Sequence, residues 1–157
     1  MDEIAGELRN FLEYWFAGFE QGLEALDAQG QRALLHSCGR ACAQSYTTAI
    51  FRELWQNSAD LEQFLQRLSQ GGLKARYERL DADTLKATYF SCGCDLVRLG
   101  LVKSPALCEC SAANLSENLE EALGAPVSVV IEDSILRGGS ACVLIATLKD
   151  DIKVGRT

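Results

Sequence analysis

LKARYERLDADTLKATY, residues 73–89, is where the chain changes period. Leu73, Ala75 and Tyr77 alternate with Lys74, Arg76 and Glu78; after the polar turn Asp81-Ala82-Asp83, Leu85, Ala87 and Tyr89 alternate again. A period of two belongs to half-buried strands, so the segment predicts an antiparallel hairpin. Everything before it repeats at helical spacing instead. Leu8, Phe11, Leu12, Trp15, Phe16, Phe19, Leu23 and Leu26 predict an amphipathic helix over 3–27. Leu34, Leu35, Cys38, Ala41 and Cys42 predict a second over 31–45, and Ile50, Phe51, Leu54 and Trp55 a third. Leu61, Phe64, Leu65 and Leu68 predict a fourth, capped by Asn57 or Ser58 and ended by Gly71-Gly72.

Beyond the hairpin comes a cysteine-rich connection, Cys92 to Cys110, containing Pro105. Leu115, Leu119, Ala122 and Leu123 then predict a short helix closed by Gly124 and Pro126. Residues 127–136 and 141–148 predict a second hairpin around Arg137-Gly138-Gly139-Ser140. The expected class is α+β: about four N-terminal helices packed on an antiparallel sheet built from two hairpins, with a short helix between them. We expect a single domain over 1–150, with a helical half at 1–71, a sheet half at 72–150, a cysteine-rich loop at 91–111 and a tail at 151–157.

Charge and composition narrow the function. The 157 residues carry 15 Lys and Arg against 22 Asp and Glu, a formal net charge of −7. Such a field repels phosphate backbones and anionic lipid, so we expect no nucleic-acid and no membrane partner. No run of apolar residues approaches membrane-spanning length, and the opening MDEIAGELRN lacks the basic start of a secretory signal. The expected location is cytoplasmic, where thiols stay reduced. Seven cysteines, an odd number, also fit poorly with a complete disulfide framework. Trp15, Phe16 and Phe19 fit equally well over the sheet or against a second subunit, so a homo-oligomer stays open.

The cysteines fall into groups. Cys38 and Cys42 are one helical turn apart, a spacing that suits either a core stripe or a ligand-facing pair. Gly39 between them favours a close approach, because glycine inside a helix costs about 1 kcal/mol relative to alanine. Arg40 and Arg98 are candidate carboxylate binders. The one histidine, His36, lies about 200° around the helix from Cys38 and points to the solvated side. Cys92-Gly93-Cys94 and Cys108-Glu109-Cys110 are two C-x-C pairs, whose thiols share a side if the backbone is extended. Cys92, Cys94, Cys108 and Cys110 are therefore the candidate metal ligands, for zinc or an iron–sulfur cluster. A metal-free reactive thiol is the alternative. Cys94 and Cys110 are the candidate catalytic residues, and Cys110 precedes a helix whose N-terminus would lower its pKa. Cys38, Cys42 and Arg40 are the candidate ligand-binding residues. Cys142 alternates with Leu144 and Ala146 as a core thiol.

The string from Cys92 through Cys108-Glu109-Cys110-Ser111 to SILRGGSAC (Ser134–Cys142) resembles uncharacterised cysteine-rich proteins. Gly138, then Cys142 four residues on, then a hydrophobic strand, is similar to the end of the 4-vinyl reductase domains. Those domains have a cysteine at the position of Ser134, where this chain departs from the pattern. The resemblance implies a small-molecule-binding α+β domain, sometimes with zinc. A second resemblance, in layout, is to L-2-amino-thiazoline-4-carboxylic acid hydrolase-like proteins, and implies hydrolysis of a small sulfur heterocycle. The expectation is thus a domain that binds a small-molecule ligand at a cysteine-lined site, or alternatively a hydrolase using a cysteine or metal-bound water.

Overall fold

A computed structural model describes residues 5–149. Helices α1 (Gly6–Glu24), α2 (Ala28–Cys42), α3 (Thr48–Gln56) and α4 (Leu61–Gln70) come first. Strands β1 (Ala75–Arg79) and β2 (Thr84–Tyr89), a one-turn helix α5 (Asp95–Arg98), helix α6 (Cys108–Leu123) and strands β3 (Val127–Asp133) and β4 (Cys142–Leu148) follow. The class is α+β, with helices packed on a four-stranded antiparallel sheet. The expected tail at 151–157 lies outside the described residues.

Several boundaries differ from the sequence expectation for local reasons. The helix predicted over 31–45 ends at Cys42 and widens into a π-helical turn, Ala43–Thr47, that runs straight into α3. Ser45 Oγ donates to the Cys42 carbonyl (2.6 Å) and Thr47 Oγ1 to that of Ala43 (3.2 Å), side-chain bonds that accompany the wider turn. Helix α4 starts later than Asn57 or Ser58: Asp60 is the cap, its Oδ1 accepting the Gln63 N–H at 2.8 Å. Gln63 Oε1 in turn accepts the Ala59 N–H at 2.8 Å, a reciprocal arrangement close to a capping box. Asp60→Ala is expected to cost about 1 kcal/mol. An unchanged urea midpoint for that variant would show that the cap carries no stability.

The strands lie in the order β1-β2-β4-β3. Tyr77 faces Ala87 across the first hairpin, while Ala146 of β4 pairs with Leu85 on one side and Val129 on the other. The last strand among the described residues therefore sits inside the sheet and joins the two hairpins. The second hairpin is less regular than predicted. β3 bulges between Ile131 and Asp133 and stops there, and Ile135–Arg137 forms a single 3-10 turn capped by Ser134.

Two apolar clusters hold these elements. The larger packs one sheet face, with Tyr77, Leu85, Ala87, Leu144 and Ala146, against Phe51, Phe64, Leu65, Leu115 and Leu119 from α3, α4 and α6. Phe64 meets Phe51 and Trp55 edge to face, at centroid distances of 6.2 and 5.4 Å. The smaller cluster gathers Leu23, Leu35, Leu101, Val102 and Leu107, with Leu12, Phe16 and Phe19 of α1 against it. So α1 covers α2 and the segment between β2 and α6, and no residue of the sheet belongs to that cluster. Glu20 secures this arrangement by accepting the backbone N–H groups of Lys103 and Ser104, the latter at 2.6 Å.

Candidate functional site

The contact between α2 and α6 organises the cysteines. On α2 the buried positions are Leu35, Gly39 and then Ala43, an i, i+4, i+8 stripe, while Leu34, Cys38, Ala41 and Cys42 are exposed. The stripe thus runs one position away from the one the periodicity suggested. At Gly39 the helices touch backbone to backbone. A Cβ there would run into the Cys110 carbonyl oxygen and lie 2.9 Å from the Ala113 Cβ. Glycine is required for close approach, and the approach sets Cys38 and Cys42 beside Cys110.

The two C-x-C pairs do not act as pairs. Helix α6 begins at Cys108, after a 3-10 turn opened by Pro105, and not near Ser111. Cys108 and Cys110 are consequently helical, about 200° apart, and face opposite sides. Cys110 interacts electrostatically with Cys42, Cys94 and Cys38. Cys108 interacts instead with Cys142 and Cys92. Each C-x-C contributes one thiol to each set.

In the first set, burial pushes the Cys110 thiol up to about 12, reinforced by the neighbouring sulfurs of Cys42, Cys94 and Cys38. Burial and Cys94 also raise Cys42, against a hydrogen bond with Asn114 that lowers it. Cys110 is therefore a protonated, weakly nucleophilic thiol at neutral pH, and burial overrules the expected helix N-terminal lowering. Cys110 as a catalytic nucleophile does not agree with that environment. In the second set, Cys108 donates to Ser134 Oγ at 3.3 Å, and Cys142 Sγ accepts the Ile135 N–H at 3.4 Å. Burial raises Cys108, opposed by the Ser134 bond and by Arg137. Ser134, 1% exposed, is the side chain that completes this set.

Glu109 sits between the sets and was not singled out by sequence. Its carboxylate lies 3.5 Å from His36 Nε2, 3.7 Å from Arg137 and 3.9 Å from Arg32. His36 is thus partly covered and turned toward a carboxylate, where the sequence reading placed it in solvent. Its Nε2 is shielded and within ion-pair range, but not in hydrogen-bond geometry. The signal for this group was an arginine and a histidine four apart on α2, which share a helical face. Arg40 is exposed, and Arg98 bonds Asp95 at 2.8 Å on its own turn.

Among the described residues, no three or more His, Cys, Asp or Glu side chains come together in a way that would hold a metal ion. A cavity of about 250 Å³ lies elsewhere, lined by Tyr46, Ile50, Leu54, Leu68, Gly71, Gly72 and Leu73. It is mostly apolar, and none of the cysteines lines it. Among the described residues, no helix is long and apolar enough to cross a membrane.

No family model matches the sequence, and no curated protein matches it. The fold does have solved counterparts. One is the crystal structure of a trafficking protein particle complex subunit 3 from Naegleria fowleri, covalently bound to palmitic acid. It aligns with a TM-score of 0.56 and 11% identity, over 95% of this chain and 98% of that one. This likeness corrects the expectation of a small-molecule-binding or hydrolytic domain. Over nearly its whole length the chain is similar in fold to that trafficking particle subunit, and the residues expected as zinc or iron–sulfur ligands, Cys92, Cys94, Cys108 and Cys110, divide between two sets.

Proposed function

We propose that this chain is a subunit of a protein assembly and docks through the outer face of α1 onto a second copy of itself. The observation that carries the reading is the exposure of Leu8 (50%), Phe11 (57%) and Trp15 (54%) along one helix. Leu8 and Phe11 lie beside the partly buried Leu12, Phe16 and Phe19, which together with the buried Leu23 face the smaller cluster, and the Trp15 ring packs on Phe16 and Phe19 at the outer edge of that group. Large apolar side chains on one stripe of a helix mark an interaction face more readily than scattered single ones.

The same stripe continues through Gly18 and Gly22, and a Cβ at either would meet nothing within 4 Å. Bulk at the start of the helix and open space at its end make the stripe self-complementary. In an antiparallel pair centred on Trp15, Leu8 lies over the partner's Gly22 and Phe11 comes within one residue of the partner's Gly18. A two-fold interface requires this reciprocity. No charged residue lies on the stripe, so two copies meet there without like-charge contact despite the net charge of −7. The fold likeness to a subunit of a multi-protein particle supports the reading by analogy.

The test is oligomeric state by sedimentation velocity over a wide concentration range. The wild type is expected to dimerise. Trp15→Glu is expected to weaken dimerisation by about 100-fold, the effect of losing an aromatic anchor of 2–4 kcal/mol. Gly18→Leu is expected to weaken it while raising the stability of the single chain by about 1 kcal/mol, because leucine is the better helix former and a Cβ there meets nothing within 4 Å. A wild-type chain monomeric at every concentration, or a dimer indifferent to both substitutions, overturns the second copy as occupant.

A further inference from the structure

We propose that Cys42 and Cys94 form a reversible disulfide, tying α2 to the segment between β2 and α6, when the chain meets a hydroperoxide. All seven cysteines are free thiols, and the backbone contact at Gly39 fixes α2 against α6. That contact holds Cys42, three residues on, at the edge of a group whose other members are Cys94, Cys110 and Cys38. Cys42 is exposed and gives an oxidant access. Cys94 and Cys110 pack against the cluster of Leu23, Leu35 and Leu107 and lie behind it.

Backbone freedom selects the partner. A disulfide needs Cα atoms about 4.4–6.8 Å apart with converging Cβ vectors, so at least one partner must adjust. Cys110 cannot, because its carbonyl lies under Gly39 within a 16-residue helix. Cys94 stands in irregular chain ahead of α5 and follows Gly93, around which a Cβ would meet nothing within 4 Å. Cys92 lies on the same segment, but its partners are those of the other set, around Cys108.

The chemistry balances in two steps. The Cys42 sulfur, as thiolate, attacks the distal oxygen of the hydroperoxide, and the O–O bond breaks to give a sulfenic acid and an alcohol, or water from hydrogen peroxide. The Cys94 sulfur then attacks the sulfenic sulfur; the S–O bond breaks, and hydroxide leaves with the Cys94 proton as a second water. Two thiols have lost two electrons and two protons to the peroxide. A dithiol reductant reverses the bond.

Trypsin separates the candidates, because Cys38 falls in 33–40, Cys42 in 41–52, Cys92 and Cys94 in 87–98, Cys108 and Cys110 in 104–137, and Cys142 in 138–149. Whole protein is treated with hydrogen peroxide, blocked with an alkylating agent, digested without reduction and mapped by mass spectrometry. The expected product joins 41–52 to 87–98 within one chain, disappears on reduction, survives Cys92→Ser and is lost in Cys94→Ser. The proposal is overturned if 41–52 joins 104–137 instead, if the bond to 87–98 runs through Cys92, if links form between chains, or if oxidation gives only sulfinic and sulfonic acids. The wild-type map decides even if a variant fails to fold, and it reads a bond within one chain, so it stands or falls separately from dimerisation through α1.

Discussion

Gly39→Ala is expected to lower stability by about 2 kcal/mol or more, although the same change on an exposed helix would raise it. Two terms oppose each other. Alanine is favoured over glycine in a helix interior by about 1 kcal/mol. Against that, the added methyl meets the Cys110 carbonyl oxygen, the Ala113 Cβ at 2.9 Å and the Asn114 backbone nitrogen at 3.1 Å. Two of these atoms are backbone in the first two turns of α6, and α6 is itself pinned by Leu115 and Leu119 in the main core. Neither helix can give locally, so relief requires separating them, and overpacking of this kind costs about 1–3 kcal/mol or more. The contact between α2 and α6 also carries Leu35, which is fully buried in the smaller cluster. For a chain of this size a loss of about 2 kcal/mol lowers the midpoint by about 4–8 °C. Calorimetry of wild type and variant is the measurement. A variant as stable as wild type would mean that the helices do not cross at Gly39, and the two thiol sets would lose their geometric basis.

The fold was legible where one physical signal dominated. The change of period at Gly72 separated helices from strands, and the first hairpin was visible because apolar and polar residues alternate on both sides of Asp81-Ala82-Asp83. The arrangement of the site was less legible. Whether Cys108 and Cys110 share a side depends wholly on whether their backbone is extended or helical. That is decided by Pro105, whose fixed φ suits the first turn of a helix and starts the helical run three residues before Cys108. The two residue types adjacent on α2 that looked alike, Leu34 and Leu35, differ because one α6 backbone atom selects the position of glycine, and with it which face is buried. No local pattern contains that atom. The aromatic run of α1 was ambiguous for another reason: Trp15 and Phe19 are close to the same helical direction, and only the placement of Leu101, Val102 and Leu107 decides where burial stops.

Alkaline pH is expected to destabilise the chain from about pH 9 upward. Cys110 has an ordinary value of 9.0 and is held at about 12 in the folded state. Cys42 and Cys108 are raised by burial as well, and burial pushes Tyr77 well above 10.0, with Tyr89 beside it raised in the same direction. Below the unfolded values both states keep their protons, so these groups make stability no different between pH 7 and 8. Between the unfolded and folded values the unfolded chain releases protons that the folded chain retains, which favours unfolding as pH rises. For Cys110 the window runs from 9.0 to about 12. A full shift of that size would be worth about 4 kcal/mol, and solvent reaching the thiol reduces it to about 2 kcal/mol. The tyrosine pair, whose hydroxyls are 3.1 Å apart, steepens the fall because neither ring can ionise without desolvating a charge beside the other. Urea unfolding under reducing conditions at intervals from pH 7 to 11 measures this. Cys110→Ala should flatten the alkaline limb, since it removes one group that the unfolded state ionises first. A stability that stays level through pH 11 would place these thiols and phenols in water. The same protonation governs the proposed disulfide: Cys42, raised by its surroundings, supplies more thiolate as pH rises, so cross-linking to Cys94 should accelerate over the pH range in which the fold begins to weaken.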